Sequence, residues 1–146
     1  MKNNARHTLR SVGAVLAGLV SLAAISTLTD ALLHATGVFS PYGQPMASAL
    51  FLLPTAYRFL YGIGAGYLTA RLAPDRPVRH ALILGGIGVA ISLAGAIATW
   101  NAGPEFGPKW YALAVIAIAL PTTWLGARLF TPKADSSTRR FAPTLT

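Results

Sequence analysis

Residues 81–100 read ALILGGIGVAISLAGAIATW, and this stretch decides the class of fold. It contains no charged side chain, and a helix of this length is about 30 Å long, which matches the hydrocarbon core of a bilayer. Three further runs, at residues 11–29, 31–57 and 110–127, are free of Asp, Glu, Lys and Arg. Several such runs in one chain are typical of a helical membrane protein.

The composition agrees with that class. Of 146 residues, 53% are hydrophobic and 11% are charged, whereas an ordinary soluble domain is about a quarter charged. This balance excludes a soluble globular enzyme and a disordered chain. The absence of cysteine excludes disulfides, thiolate nucleophiles and Cys-ligated metal centres.

We predict an all-α polytopic membrane protein whose domain, residues 12–130, has four transmembrane helices in two hairpins. The spans are expected at about residues 12–33, 47–72, 81–100 and 110–129. Residues 1–11 form an N-terminal segment, and residues 131–146 form a disordered basic tail. The first apolar run, about 22 residues, is longer than the 7–15 residues usual in a signal peptide, so we expect it to be retained. Pro121 lies inside the fourth span and predicts a kink rather than a break.

The positions of the basic residues predict the orientation. Ten of the twelve Lys and Arg residues fall at three helix ends: Lys2, Arg6, Arg10, Arg71, Arg76, Arg79, Arg128, Lys133, Arg139 and Arg140. By the positive-inside rule, both termini are then cytoplasmic. The short loops and the Ala-, Gly-, Pro- and Arg-rich composition favour a bacterial inner membrane.

The same basic residues indicate which partners to expect. They mark helix ends and form no single face interleaved with aromatic residues, so the net charge of +8 does not indicate nucleic-acid binding. At the cytoplasmic face each can attract anionic lipid with about 1 kcal/mol. The expected partners are therefore the bilayer and its anionic lipids, with a homo-oligomer or a membrane partner protein left open.

Two charged residues lie inside the predicted spans, where a charged side chain raises the free energy of membrane insertion. Asp30 lies near the outer end of the first span, and Arg58 lies several residues into the second. Side chains lean toward the N-terminus of their helix, and the two helices run in opposite directions, so the two side chains converge. We predict an Asp30–Arg58 ion pair.

Other polar side chains fall around this pair and complete a candidate pocket in the outer leaflet. Thr27, Asp30 and His34 share a stripe of the first span, and Tyr57 and Tyr61 flank Arg58. The pocket residues are Asp30, His34, Tyr57, Arg58 and Tyr61. Such a set could bind an anionic headgroup or solute through Arg58, or relay protons through Asp30 and His34. Alternatively, Arg58 has a structural role and joins two helices by pairing with Asp30. It could also reach the Leu50 carbonyl that Pro54 leaves without a donor.

Small residues at four-residue spacing predict close helix packing, within one bundle or between copies. The series are Gly62, Gly66 and Ala70 in the second span, Gly88 and Ser92 in the third, and Gly13, Ala17 and Ser21 in the first. Packing within the monomer is the expected use.

Two pairs of segments also suggest an internal repeat. Val20-Ser-Leu-Ala-Ala24 is similar to Ile91-Ser-Leu-Ala-Gly95, and Tyr67-Leu-Thr-Ala-Arg71 is similar to Trp124-Leu-Gly-Ala-Arg128. A duplicated hairpin and a chance likeness between apolar helix ends both explain these matches.

The chain carries no nucleophile elbow, HExxH sequence or paired carboxylates on one helix. No catalytic residue, cofactor or metal is therefore expected, since Asp30 and His34 lack an evident third ligand. The leading hypothesis is a non-enzymatic accessory or binding module with a pocket at Asp30 and Arg58. In length and span count the chain resembles the small multidrug exporters, which are built around a lone Glu in the first helix. This chain departs from that pattern, because its first helix carries Asp30 near the outer end with Arg58 as a partner. The alternative function is a small homo-oligomeric transporter or channel that uses Asp30 and His34 as a proton-coupled site.

Overall fold

The computed structural model describes residues 2–130, and within them it is all-helical, without strands. Four α-helices follow in order: α1 (Lys2–Ala35), α2 (Leu52–Leu72), α3 (Pro77–Thr99) and α4 (Lys109–Leu129). Short 3-10 turns, Ser48–Phe51 and Pro104–Phe106, precede α2 and α4. The predicted tail at residues 131–146 lies outside the described residues.

The helix bounds differ from the predicted spans. Helices α1 and α3 begin before their predicted spans, and α2 begins five residues after the start of its span. Helix α1 has 34 residues, about 50 Å at 1.5 Å per residue, so it is longer than the bilayer core and includes most of the predicted N-terminal segment. It ends where Gly37 adopts a positive φ of 75°, which the missing Cβ permits. Helix α4 continues through Pro121 without a break, in accord with the sequence prediction.

Three helical segments are long and apolar enough to cross a membrane: Asn4–Ala35, Pro77–Thr99 and Pro104–Leu129. Helix α2 does not reach the same hydropathy, because it contains Arg58, three tyrosines and three glycines. It contacts each of the other three helices, so much of its polar and small-residue surface faces protein. These features fit a helical membrane protein.

The contacts fix the relative directions of the helices. Helices α1 and α2 are antiparallel, as are α3 and α4, whereas α2 and α4 are parallel. The helix directions define two ends of the bundle, which we call the basic end and the loop end. The basic end holds the start of α1, the connection at 73–76 and the end of α4, where Ala70, Ala81 and Ala127 form a buried cluster. The loop end holds the connections at 36–51 and 100–108.

Small side chains fill the interior and large apolar ones face outward. Val15, Ala65 and Leu84 form the second buried cluster, while Leu28 and Ile97 are 70% and 71% exposed. This distribution suits a bundle surrounded by lipid, because burying large apolar groups between helices gains little there.

The closest helix contact joins α2 to α4. A Cβ placed on Gly66 would lie 2.6 Å from Cα of Thr123, and one on Gly62 would lie 2.9 Å from Cβ of Thr122. On the other side of this contact, a Cβ on Gly126 would meet the backbone of α2. The predicted Gly62–Gly66 series thus packs within the monomer.

The remaining predicted small residues have different surroundings. Ala70 is 1% exposed, Gly88 lies against Ala119, and Ser92 lines a cavity instead of a tight contact. The predicted series in α1 does not make the close contact within the monomer: a Cβ on Gly13 would have no neighbour within 4 Å, whereas one on Gly18 would meet α2. Small residues occur all round α1, so spacing alone did not identify its packed face.

The two antiparallel pairs share one packing arrangement. In α1, Gly18 lies against Thr69 and the Ala65 carbonyl, which are one turn apart on α2. In α3, Gly85 lies against Thr123 and the Ala119 carbonyl on α4, again one turn apart. The repeat hypothesis gains a structural parallel from this arrangement, although the matched sequence segments differ in register by about one turn.

The α2–α4 contact predicts how a single methyl group changes stability. We expect Gly66→Ala to lower the free energy of unfolding by about 1–3 kcal/mol, since the new Cβ meets backbone atoms that cannot rotate away. The matched control is Gly64→Ala in the same helix, where no atom lies within 4 Å and helix propensity gains up to about 1 kcal/mol. Thermal unfolding in a mild detergent measures both variants, and equal stability of the two would contradict the packing.

Candidate functional site

The predicted ion pair is present at the loop end. Asp30, one turn before the end of α1, and Arg58, in the second turn of α2, face each other with Nη2 2.5 Å from Oδ2. Their side chains are 28% and 24% exposed. The antiparallel directions of α1 and α2 produce this approach, as the sequence argument requires.

Two phenols complete the hydrogen bonding of the pair. Tyr57 donates its hydroxyl proton to Asp30 Oδ1, and Arg58 Nη1 donates to the hydroxyl oxygen of Tyr111 on α4. Both carboxylate oxygens of Asp30 therefore accept a hydrogen bond. The guanidinium carbon also lies 5.5 Å and 5.8 Å from the ring centroids of Tyr57 and Tyr111, within the range of cation–π attraction. The site thus connects α1, α2 and α4.

The alternative partner for Arg58, the Leu50 carbonyl, is not used within the described residues, where its hydrogen bonds go to Asp30 and Tyr111. These are charge-assisted bonds, which are stronger than a bond between neutral groups. A rigid, paired guanidinium results.

Tyr61 and His34 lie near the pair, each with partners of its own. Tyr61 OH is 3.0 Å from Thr29 Oγ1, one turn deeper in the bundle. His34 Nδ1 is 2.6 Å from the Ser40 carbonyl, and its ring stacks on Tyr42 at 3.9 Å. His34 therefore shares a cavity with the ion pair and is anchored to the connection after α1.

Sequence reasoning missed two contributors and misplaced one. Tyr111 was not included in the predicted pocket, and no local signal links it to Arg58, 53 residues earlier. Thr29, not the exposed Thr27, faces α2. Glu105 lines the same cavity from the connection before α4.

Two cavities meet at Arg58. The first, which we call the vestibule, has a volume of about 170 Å³ and opens at the loop end between Asp30, His34, Tyr42, Phe51, Glu105 and Tyr111. The second, the chamber, has about 230 Å³ and lies between the four helices, with Leu22, Ala23, Leu84, Ile91, Val115 and Ile118 among its apolar walls. Arg58 lines both cavities. The ion pair therefore separates a polar space from an apolar one.

A metal site in a protein needs at least three ligand side chains around one point. Within residues 4–130, no three His, Cys, Asp or Glu side chains are grouped as a metal site requires. Asp30 and His34 have no third ligand beside them in that part of the chain.

No family model, curated protein or solved structure matches this chain. The site must therefore be interpreted from its own geometry.

The hydrogen-bonded pair predicts a mutational cycle. We expect Asp30→Asn and Arg58→Gln each to lower the free energy of unfolding by about 1–3 kcal/mol, because each leaves a partly buried charge without its partner. The double variant should recover part of that loss. Unfolding in detergent provides the four values. Glu105→Gln, which changes an exposed carboxylate of the same end, serves as control, and wild-type stability in both single variants would show that the pair does not hold α1 to α2.

Proposed function

We propose that the chain is a four-span protein of a bacterial inner membrane, with two hairpins and both termini in the cytoplasm. The proposal is supported by the parallel directions of α2 and α4, which bring Arg71 and Arg128 to the same end as the N-terminus. Helix α2 is the fourth span in this proposal. Its lower hydropathy is compatible with a crossing because α1, α3 and α4 surround it.

This topology predicts accessibility that introduced cysteines can measure, since the chain has no cysteine of its own. We expect Gln44→Cys and Asn101→Cys to react with a membrane-impermeant maleimide in intact cells. Asn4→Cys and Asp75→Cys should react only after lysis. If residues 4 and 75 react in intact cells while 44 and 101 do not, the orientation is inverted; if 44 and 75 react alike, α2 does not cross.

Within this topology the protein acts as a non-enzymatic binding or accessory module, and its site is the junction at Arg58. One observation carries the proposal: a polar vestibule and an apolar chamber share this residue. A molecule bound there would have a polar head in one cavity and an apolar chain in the other. An amphiphile therefore suits the site better than a small soluble solute.

The charges of the vestibule favour a zwitterionic head. Two carboxylates, Asp30 and Glu105, line it against one guanidinium, and that guanidinium is already paired. Binding of a simple anion through Arg58, considered from the sequence, is disfavoured by this balance. A phosphate near Arg58 and Tyr111 with an amine toward Glu105 would satisfy both signs of charge.

Single-chain lipids test this function directly. We expect lysophosphatidylethanolamine to remain bound in native mass spectrometry from a maltoside detergent, and lysophosphatidylglycerol of equal chain length to bind about tenfold less. Ala23→Phe should abolish retention because it fills the chamber. Ala24→Phe is the matched control and should keep it, because Ala24 is exposed like Ala23 but does not line the chamber.

The outcomes separate the proposal from its competitors. Equal retention by the Ala23 and Ala24 variants would place the lipid on the outer surface and contradict a site at the junction. Stronger binding of the anionic lipid would contradict the argument from the two carboxylates.

A homo-oligomeric proton-coupled transporter is the second candidate, and the position of Arg58 favours it for one reason. Release of the pair by protonation of Asp30 would join the vestibule to the chamber. In that case native mass spectrometry should show an oligomer, and Asp30→Asn should abolish proton-driven flux in liposomes at normal folded yield. A monomer without proton flux would contradict the transporter, and the binding module would remain as the proposed function.

A further inference from the structure

A second polar cavity, the basic cleft, lies at the opposite end of the bundle. It has about 260 Å³ and is lined by His7, Ser11, Asp75, Arg76, Arg79 and His80. The residues come from the start of α1 and from the connection into α3. Nothing in the mechanism at Arg58 uses them.

His80 is the buried member of this set. It is 8% exposed, and its Nδ1 lies 3.3 Å from the Arg76 carbonyl oxygen. Its Nε2 makes no hydrogen bond within the described residues and is not fully enclosed, so it is available to a molecule in the cleft. In the tautomer that carries its proton on Nε2, the ring can donate a hydrogen bond to an acceptor bound in the cleft.

The charge of the cleft points to an anion. Arg76 and Arg79 have no carboxylate within 4 Å in residues 4–130, while Asp75 lies 3.7 Å from Nε2 of His7. Two guanidinium groups therefore face one carboxylate. The balance is opposite to that of the vestibule.

The start of α3 adds to this field. Helix α3 has 23 residues, begins beside the cleft, and carries no acidic side chain in its first turn and no side-chain cap. The aligned peptide dipoles leave positive partial charge at such an end, where anions bind well.

Arg76 is held in an unfavourable conformation at this point. Its φ of 39° and ψ of 59° are left-handed, and it precedes Pro77, which disfavours that region further. Glycine or asparagine would adopt this backbone more readily. An arginine here suggests that its side chain serves a purpose.

We infer that the basic cleft binds the phosphate of an anionic phospholipid headgroup, with Arg76, Arg79 and His80 as its donors. The lipid source depends on the proposed topology, which puts this end at the cytoplasmic membrane surface, where anionic headgroups lie. The phosphate chemistry does not depend on it. A soluble phosphate would satisfy the same donors, so the experiment must separate the two sources.

Retention of phosphatidylglycerol in a nonionic detergent tests the inference, whichever way the protein is oriented in cells. By native mass spectrometry we expect Arg79→Gln to lower the bound fraction about fivefold. Arg128→Gln is the matched control, because Arg128 lies at the same end, packs on Trp124 and does not line the cleft. Equal losses in the two variants would mean general attraction to the basic end and would overturn the site.

Two further arms complete the test. Arg76→Gly should raise the melting temperature without lipid, by relieving the backbone, and still lower lipid retention, so a loss of binding cannot be assigned to unfolding. Unchanged retention in both Arg76→Gly and Arg79→Gln would overturn the inference. Inorganic phosphate at 10 mM should leave the lipid bound; displacement would identify a soluble phosphate ligand and overturn the lipid source. The variants at Ala23 report on the other end of the bundle, so failure there is distinguishable from failure here.

Discussion

Direct backbone contact between α2 and α4 is the constraint on which the rest of the bundle depends. Glycines at positions 62, 66 and 126 remove the side chains that would separate the two helices. Because α2 and α4 run parallel at this distance, the first turn of α4 comes beside the second turn of α2. Tyr111 can then accept a hydrogen bond from Arg58. Side chains of any size at the glycine positions would open the site as well as the core.

The ion pair uses a different consequence of helix geometry. A charge in lipid is tolerated when it is paired inside the protein, and the lean of side chains on antiparallel helices brings Asp30 and Arg58 together. Tyr57 then donates to the second carboxylate oxygen of Asp30, and Tyr111 accepts from Nη1 of Arg58. The arrangement holds the guanidinium near the loop end by hydrogen bonds to protein groups, and it leaves that cation at the boundary of two cavities. If the proposed binding occurs at this site, it depends on the same four side chains that join the helices.

The sequence predicts features that follow from a single helix or from two consecutive helices. It does not predict contacts that depend on the distance between helices far apart in the chain. The helical class, the helix through Pro121, the pair at residues 30 and 58 and the packing of Gly62 and Gly66 follow from periodicity, chain direction and residue size. Tyr111 could not be found, since its role requires the α2–α4 distance. In α1 the sequence offers both Gly13 and Gly18 as small residues. Only the contact of Gly18 with Thr69 shows which of the two lies against α2.

The vestibule and the basic cleft have opposite charge balances, and this difference bears on the repeat hypothesis. Gly18 and Gly85 pack in the same way on their partner helices, which suits a duplicated hairpin. Yet Asp30 and Arg58 belong to the first pair of helices alone, and the basic cleft joins the start of α1 to the start of α3. If a duplication made the bundle, the shared packing was retained while the charged groups diverged. The cleft would then have arisen where the two units meet, which is where a ligand can contact both.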